Sequence, residues 1–519
     1  MINFNDLSKY RENNRIEAKK ALGGLPKSIW ETYSAFANTL GGIILLGVEE
    51  DENKNLRVAN GGLKNADVLI KEFWDTINNP KKANVNILSD KDVYVQNVDG
   101  KDIIVIDIPR ADRFYKPVYV DGNPITGTYR RNGEGDYRCT NEEYMAMVRD
   151  AAVKTPDMLV LDGVDFSAFN AESIKSYRSR MHISRPNHVW ETLNEEDFLL
   201  RIGAVGISGD GKKHPTWETL NEEDFLLRIG AVGIGGDGKK HPTVAGLLMF
   251  GNEYAITREF NNYFLDYQEH YEEDTRWTDR IVSSSGDWSG NVYDFYFKTY
   301  NKLIQDVKVP FLMENGVRID DTPVHQVYRE ALVNCLVNAD YYGRCGVVVI
   351  KEKHCVSFAN PGNFRIEIAA ARSGGISDPR NVTLLKMFNL INIGERVGSG
   401  IPNILAVSAK QGWRDPEIIE TFEPDRITLR LYTDNKSREK IGDKKSAIKI
   451  GDKKSAITEA AKLKIIEYLT DNAYATCGEI AKLLGLKDSR ARDYLKLLAE
   501  DEIVVVEGAN RNRIYRLKR

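Results

Sequence analysis

The segment SAFANTLGGIILLGV, from Ser34 to Val48, constrains the fold of this chain more than any other. It contains the end of a helix that we expect from about Pro26 to Thr39, then a Gly41-Gly42 turn, then a strand of consecutive apolar residues. A helix that leads directly into a buried strand is a building block of α/β layers. The sequence therefore predicts an α/β domain around this segment.

The remainder of the N-terminal region follows the same pattern. A second strand, DIIVIDIP, comes after an Asp99-Gly100 turn, and Thr140 predicts the N-terminal cap of a further helix. The stretch GTYRRNGEGDYRC combines basic and turn residues, and its Arg130 and Arg131 are candidates for contacts with nucleic acid. We place this first domain at residues 1–153.

Three carboxylates, those of Glu12, Glu17 and Glu50, bracket the same segment, and Lys19 lies just beyond Glu17. On one helix Glu12 and Glu17 would diverge, but across a helix end or an irregular turn they can converge. Carboxylate oxygens suit hard cations, which predicts magnesium or manganese at this cluster. The alternative is that all three are solvated charges in a chain with 29% charged residues.

Length and charge limit what the whole molecule can be. The chain of 519 residues is too long for one core and predicts several domains. Its formal net charge of -4 means that any surface for nucleic acid must be local. Five cysteines without Cys-x-x-Cys spacing, a charged N-terminus and no long apolar run predict a cytoplasmic protein without a membrane segment.

Two literal duplications interrupt the chain. The stretch from Trp190 to Thr216 recurs from Trp217 to Thr243 with one change, Ser208 to Gly235. The nonapeptide KIGDKKSAI occurs twice in succession between Lys440 and Ile457. Repeat folds need three or more stacked units, so we assign function to neither pair. Residues 154–243 are expected to be a connector, and residues 435–457 a basic linker.

Residues 244–434 predict a second α/β domain. We expect strands at VAGLLMFG (Val244 to Gly251), GVVVIKE and CVSFANPG, and a helix from about Val324 to Ala339. On that helix Glu330, Asn334 and Asn338 are spaced four apart and share one face. A carboxylate there can orient water and an amide oxygen can ligate magnesium, although an ordinary amphipathic helix is the alternative.

Two glycine-containing turns follow that helix. The NPG turn, with Asn360 and Gly362, ends a strand, and GERVGSG supplies three further glycines. Turns of this kind bring backbone N–H groups close to phosphate. The glycines of the second turn are Gly394, Gly398 and Gly400.

Residues 458–519 predict three helices and a hairpin, the layout of a winged helix-turn-helix. Basic residues lie at the start of its third helix and in its wing, where they could reach base edges and phosphates of DNA. Winged helices also act as protein-protein modules, and that alternative stays open. The candidate contacts are Ser489, Arg490, Arg492, Lys496, Arg511 and Arg513.

The first domain resembles the Alba-like domain of the Schlafen family through ENNRIEAK, SAFANTLGGIILLGVEE and GTYRRNG. Schlafen nucleases use two glutamates in an E-x4-E-x-K arrangement and an acid after the Gly-Val pair to cleave RNA with a divalent metal. The resemblance implies these roles for Glu12, Glu17 with Lys19, and Glu50. The family more often has Asp at the third position, and the longer Glu50 changes the reach of that ligand.

Residues from about 245 to 415 resemble RecG-like helicases and transcriptional regulators through LLMFG, REALVNCLVNADY, FANPGNF, SDPRN and GERVGSGI. That region is similar to GHKL ATPases, which implies an α/β sandwich with ATP and magnesium, Glu330 as general base and Asn334 as metal ligand. Asn360 occupies the place of the acid that reads adenine. The sequence has no Gly-x4-Gly-Lys-Ser/Thr motif, so no helicase motor is expected.

These predictions combine into a multidomain α/β (α+β) protein: an Alba-like Schlafen domain, a GHKL-like sandwich and a winged helix. The first functional hypothesis is a nucleic-acid-binding transcriptional regulator with DNA, and also RNA, as partners. The second is a metal-dependent ribonuclease that acts on tRNA or another structured RNA. A third is an ATPase that clamps a dimer, since we expect a homodimer or a higher oligomer.

Overall fold

The computed structural model describes residues 2–184, 222–271, 276–307, 313–314, 317–318, 321–394 and 398–434, and short stretches or single positions from residue 465 onward. The chain divides into two compact units, Met1–Asp434 and Asn435–Arg519. No helix in the part of the chain that is described has the length and apolar character needed to cross a membrane.

The first α/β domain is built on a mixed sheet of four strands. Strand β1 pairs in parallel with β2, and the other neighbours in the order β1-β2-β6-β5 are antiparallel. Two small hairpins, β3-β4 and β7-β8, complete it. The helices are α1 (Ile29–Asn38), α2 (Ala66–Ile77) and α3 (Asn141–Ala151). The strands are β1 (Ile16–Lys19), β2 (Gly42–Leu46), β3 (Val48–Glu50), β4 (Leu56–Val58), β5 (Val93–Val98), β6 (Lys101–Ile108), β7 (Tyr129–Asn132) and β8 (Gly135–Arg138).

The helix, turn and strand predicted at the N-terminus are confirmed as α1, the glycine turn and β2. Gly41 has a φ of +73°, and a Cβ atom there would come within 2.7 Å of the Ile108 carbonyl oxygen. Only glycine combines this backbone conformation with so close an approach. The Asp99-Gly100 hairpin turn and the helix capped by Thr140 are also present, and Glu143 completes a capping box with Thr140.

A six-stranded sheet forms the second part of the first unit, in the order β12-β11-β15-β16-β18-β17. Only β11 and β15 are parallel neighbours. The helices are α4 (Ala171–Ser184), α5 (Glu222–Ile229), α6 (Val244–Phe250), α7 (Glu253–Glu259), α8 (Val292–Ile304), α9 (Pro323–Val337), α10 (Ile368–Ser373), α11 (Val382–Leu390) and α12 (Gly400–Lys410). The strands are β9 (Val232–Ile234), β10 (Lys240–Pro242), β11 (Leu265–His270), β12 (Asp279–Val282), β13 (Met313–Glu314), β14 (Val317–Arg318), β15 (Val347–Glu352), β16 (Cys355–Pro361), β17 (Glu417–Phe422) and β18 (Asp425–Tyr432).

One predicted strand is wrong. The segment VAGLLMF forms helix α6, which begins after Thr243, whose hydroxyl accepts a hydrogen bond of 3.0 Å from the Gly246 amide. All of its residues are buried, so its sequence has no polar face that would reveal a helical period. The predicted helix near Val324 and the two strands before the NPG turn are confirmed as α9, β15 and β16.

The expected connector is part of the domain core. Buried residues before the duplication and within its second copy, such as Tyr177 and Phe225, share one apolar cluster with α6, α8 and α9. The second copy supplies α5, β9 and β10, while the first copy lies outside the described residues. One copy therefore fills the structural place, and Gly235 is the residue that occupies its β9-β10 turn.

The second unit has its own apolar core, which includes Ile465, Ile480, Leu495 and Tyr515. Its described elements are β19 (Ala475–Thr476), α13 (Cys477–Leu484), β20 (Val504–Glu507) and β21 (Ile514–Leu517). The strands β20 and β21 pair antiparallel, and β19 pairs with β21. Thr476 caps α13, as predicted, in a capping box with Glu479. The basic linker lies outside the described residues.

Candidate functional site

The acidic cluster lies at one end of the first sheet. Glu17 is on β1, beside β2, and Glu50 ends β3. The side chain of Glu17 is 12% exposed, and its carboxylate accepts hydrogen bonds from Arg131 at 2.7 Å and from Lys19 at 2.8 Å. Glu12 precedes β1 and accepts a hydrogen bond of 2.9 Å from the Ala18 amide. The predicted partner Lys19 is therefore in place beside Glu17.

Electrostatics show that the three glutamates are neighbours. Burial raises the pKa of Glu12 above its ordinary value, and the charges of Glu17 and Glu50 raise it further. The Ala18 amide and Arg131 oppose this shift. Across the described chain, no group of three or more His, Cys, Asp or Glu residues is placed to hold a metal ion. Two cations already neutralise Glu17, and metal binding here stays a prediction.

The two arginines predicted to contact nucleic acid lie inside the molecule. The side chain of Arg131 is 1% exposed and binds Glu17 and Asp136. That of Arg130 is 7% exposed and binds Glu143 and Asp425. Neither guanidinium is available to a phosphate in this arrangement, because both are buried with carboxylate partners. Contact of either arginine with nucleic acid stays a prediction, and it would require these ion pairs to open.

Helix α9 and strand β16 bring the predicted nucleotide residues to one cleft. Glu330, Asn334, Asn338 and Asn360 line it together. The Asn334 amide nitrogen donates to the Glu330 carboxylate at 3.0 Å, which leaves the Asn334 amide oxygen free of that bond. Asn360 is 4% exposed. The remaining wall is mainly apolar, with Phe358, Ile376, Ile401, Ile404, Ile418, Ile427 and Leu429.

Glycines make close approaches around this cleft. Gly398 and Gly400 line it, and a Cβ atom at Gly400 would come within 2.1 Å of a Glu330 carboxylate oxygen. Gly362 has a φ of +102°, and a Cβ atom there would come within 2.1 Å of the Arg380 guanidinium. Gly394 lies farther back, near Val333. The residues between Gly394 and Gly398 are outside the described chain.

Ion pairs between the first domain and the second were not foreseen from the sequence. Arg110 binds both carboxylate oxygens of Glu420, at 2.6 and 2.9 Å, and Arg380 binds those of Asp150, at 2.7 and 2.8 Å. The partners of each pair are separated by 310 and 230 positions in the chain. No local spacing could signal such pairs, because each residue has the pattern of an ordinary charged residue.

The winged helix contains six residues that the sequence predicts to contact DNA. Ser489, Arg490, Arg492, Lys496, Arg511 and Arg513 all lie outside the described residues. The strands of the wing and the capped helix α13 are described, and they have the order predicted from the sequence. The prediction for these six side chains therefore rests on the sequence alone.

Family comparisons match three parts of the chain. Residues 12–140 match "Schlafen, AlbA_2", residues 353–429 match "Putative ATP-dependent DNA helicase recG C-terminal", and residues 459–505 match "Winged helix-turn-helix DNA-binding". The chain thus has a Schlafen AlbA_2 domain, a region of the RecG C-terminal type and a winged helix of the DNA-binding class, as the resemblance predicted. Residues 145–216 and 208–266 match a domain of unknown function, DUF8451.

Solved structures that are similar to this chain include the following two. The DIP2311 protein from Corynebacterium diphtheriae has 15% sequence identity to this chain and a TM-score of 0.37. The match covers 97% of this chain and 92% of the DIP2311 chain. The second is the N-terminal domain of a "Putative ATP-dependent DNA Helicase RecG-related Protein" from Nitrosomonas europaea, with 33% sequence identity and a TM-score of 0.21. The match covers 27% of this chain and 95% of that domain's chain. No curated protein gives a significant match.

Proposed function

We propose that the protein is a nucleic-acid-binding transcriptional regulator whose winged helix holds DNA and whose central cleft binds a nucleotide. The observation that carries this proposal is the winged-helix match over residues 459–505. The capped helix α13 and the antiparallel wing strands fit that class. Cationic residues continue to the last printed residue, where RIYRLKR has one Arg or Lys side chain before the last strand and three in or after it.

In DNA binding by this class of domain, the recognition helix contacts bases and the wing contacts phosphates. Ser489, Arg490 and Arg492 would lie at the start of the recognition helix and contact base edges in the major groove. Arg511 and Arg513 in the wing would bind phosphates, which orient the domain but do not select a sequence. Because the whole chain has a net charge of -4, non-specific attraction to DNA would be weak outside this domain.

The residues of the central cleft fit a purine nucleotide with magnesium. The buried Asn363 Oδ1 atom, which belongs to the cleft lining, has no hydrogen-bond partner among the described residues. An exocyclic amino group is the kind of donor that such an oxygen lacks. Asn334 would offer its amide oxygen to magnesium, and Glu330 would orient water. Magnesium, when bound, would neutralise phosphate charge.

Footprinting tests the DNA part of the proposal. Full-length protein should protect a specific site, with the region upstream of its own gene as the first candidate. The Arg490→Ala/Arg492→Ala variant should lose that protection. The matched control is Lys71→Ala/Lys91→Ala, which removes two charges from exposed positions of the first domain. Equal affinity of the wild type for random duplexes at physiological salt would contradict sequence-specific regulation.

Calorimetry with a non-hydrolysable ATP analogue and magnesium tests the nucleotide part. The wild type should bind, and Asn334→Ala should weaken binding when magnesium is present. Asn262→Ala, at an exposed position away from the cleft, serves as control. If the folded wild type does not bind the analogue, the proposal that the cleft binds a nucleotide is wrong. The footprinting result tests DNA binding separately.

A metal-dependent ribonuclease is the second candidate, and the electrostatic coupling of Glu12 to Glu17 and Glu50 favours it. A divalent cation would have to compete with Arg131 and Lys19 for Glu17. Purified protein with manganese should then cleave tRNA, and Glu50→Gln should abolish cleavage without unfolding the chain. Glu52→Gln, at an exposed position nearby, is the control. Failure to cleave any RNA with magnesium or manganese would eliminate this candidate.

A further inference from the structure

A small cavity lies between the first domain and the central domain, apart from the acidic cluster. Its charged lining comes from the loop after β6, from helix α3, from the segments on either side of α10, and from Asp340 and Asp425. The cavity has a volume of about 30 Å³, which exceeds the roughly 10–15 Å³ that one water molecule needs. The charged residues of the lining are Arg110, Arg113, Lys116, Asp150, Asp340, Arg365, Arg380 and Asp425.

Most cations around this cavity have their own carboxylate. Arg110 pairs with Glu420 and Arg380 with Asp150, each through two hydrogen bonds. Arg113 donates to Asp378 at 2.5 Å. Arg130, close by, binds Asp425 at 2.6 Å, and Arg149 binds Asp340 at 3.1 Å. Each of these carboxylates therefore already has an arginine partner.

Arg365 lacks a carboxylate of its own. Its side chain is 5% exposed, and the two nearest carboxylates already have partners. Asp378 lies 3.5 Å from Nε and is bound by Arg113, and Asp150, whose charge also acts on Arg365, is bound by Arg380. Its Nη1 and Nη2 atoms donate to the carbonyl oxygens of Pro379 and Asp150. Within the described chain the Nε atom has no hydrogen-bond acceptor. A buried N–H without an acceptor costs free energy, so its persistence calls for a partner.

Lys116 is the second cation without a counter-charge. Its ammonium donates to the Asn38 carbonyl oxygen at 3.0 Å, and it forms no ion pair with a carboxylate of the described residues. Burial lowers the pKa of Lys116 to about 7, and the positive charges of Arg110 and Arg130 add to this effect. Burial likewise lowers the pKa of Arg365 to about 10. Two buried cations that donate no hydrogen bond to a carboxylate within the described residues therefore share one cavity.

We propose that this cavity is a binding site for a phosphate dianion, held by Lys116 and Arg365 between the first domain and the central domain. Two positive charges call for a dianion, and a tetrahedral oxyanion presents oxygens in several directions to donors on different elements. The phosphate is either free inorganic phosphate or the phosphate of a nucleotide, because Arg365, Asn363 and Arg380 also line the neighbouring nucleotide cleft. Occupancy would tie the two domains together through one ligand.

Titration calorimetry and thermal unfolding of the full chain in phosphate-free buffer test the site. Inorganic phosphate should bind to the wild type and raise its melting temperature. Lys116→Met should weaken binding by at least about tenfold and should not lower stability in the absence of phosphate, because it removes an uncompensated charge. Lys91→Met, at an exposed position, should bind like the wild type. Arg365→Gln provides a second variant if Lys116→Met does not fold.

The arms of the experiment separate the two sources of phosphate. Stabilisation by inorganic phosphate that persists with saturating adenosine identifies a free-phosphate site. Binding of ATP or ADP that Lys116→Met weakens, with adenosine binding unchanged, identifies a nucleotide phosphate. The proposal is overturned if millimolar phosphate and nucleotides leave the folded wild type unaffected, or if Lys116→Met and Arg365→Gln bind both as tightly as the wild type. Loss of DNA binding has no bearing on it.

Sulfate supplies a readout of Lys116 itself, because sulfate stays dianionic across neutral pH. Its affinity should fall as the pH rises through about 7, where Lys116 loses its proton, and the Lys116→Met variant should lack this dependence. Unchanged sulfate affinity of the wild type across that pH range would contradict a role for the ammonium. The charged groups that face Lys116 are Arg110, Arg113, Arg130, Asp150, Asp340, Arg365, Arg380, Glu420 and Asp425.

Discussion

Arg131 and Glu17 form a buried ion pair with a distance of 2.7 Å between guanidinium nitrogen and carboxylate oxygen. The pair joins hairpin β7-β8 to strand β1. The sequence predicts a different ligand for each of these residues: a metal ion for Glu17 and nucleic acid for Arg131. Each satisfies the other in this structure, so either role would require the pair to open.

This pair should contribute strongly to stability. Glu17→Gln leaves the buried Arg131 with Asp136 as its remaining carboxylate partner, and we expect it to lower the free energy of unfolding by about 1.5–3 kcal/mol. Urea denaturation followed by circular dichroism measures the change. The double variant Glu17→Gln/Arg131→Met should lose less than the sum of the single variants. Glu134→Gln, which breaks the exposed pair with Lys54, should have little effect. Equal effects of the two glutamate variants would contradict the assignment.

Lys116 should make stability depend on pH in phosphate-free buffer. Its pKa is lowered from 10.5 to about 7 in the folded chain, so between these values the unfolded chain binds the extra proton. Stability should therefore rise with pH from about 7 to about 10.5, by a few kcal/mol at most. Denaturation midpoints of the wild type and Lys116→Met across this range measure the effect. A slope that is the same in both proteins would show that Lys116 is not its source.

The duplication offers a test of which copy builds the core. A chain that lacks residues 190–216 should retain wild-type stability, because the second copy contributes Phe225, Leu226, Ile229 and Val232 to the core. In that shortened chain, Gly235→Ser should destabilise by about 1–3 kcal/mol, since a Cβ atom there would come within 2.3 Å of the Asp162 carboxylate. Thermal unfolding measures both changes.

Gly236→Ser is the matched control for that substitution, because a Cβ atom at Gly236 has 3.6 Å to its nearest neighbour, Asp162. Its effect should be smaller than that of Gly235→Ser. Loss of folding on deletion of residues 190–216, or equal effects of the two serine substitutions, would show that the first copy matters to the core.

Gly400 should be required for an open nucleotide cleft. A methyl group at this position would meet Glu330 at 2.1 Å and the Asn334 amide at 2.8 Å. We expect Gly400→Ala to reduce affinity for the ATP analogue by at least about tenfold, measured by calorimetry. Gly163→Ala, where nothing lies within 4 Å of the added Cβ atom, should bind normally. Normal binding by Gly400→Ala would mean that the ligand occupies another place.

Local patterns predicted much of this fold. Helices α1, α3 and α9 and the hairpin turn at Asp99 each carry a period, cap or turn residue that acts over a few positions. The common cleft of Glu330, Asn334 and Asn360 was also foreseen, through their order in a family pattern. Helix α6 was missed because burial on all sides removes the amphipathic signal.

Pairing between residues that are far apart in the chain explains the features that the sequence did not predict. Arg130 and Arg131 look like surface residues in the sequence, and their burial depends on Asp425 and Glu17, which lie far away in the chain. The same is true of the cavity around Lys116, whose unpaired charge becomes visible only when each nearby arginine has been matched to its acid. Such information belongs to tertiary structure.

The most direct test of the regulator hypothesis is the ratio of affinities for a footprinted site and a random duplex at physiological salt. Fluorescence anisotropy of full-length protein should give a ratio of at least about 1,000. The Arg490→Ala/Arg492→Ala variant should reduce that ratio, whereas Lys71→Ala/Lys91→Ala should preserve it. A wild-type ratio near one, or an unchanged ratio in the Arg490 and Arg492 variant, would contradict DNA recognition by the winged helix.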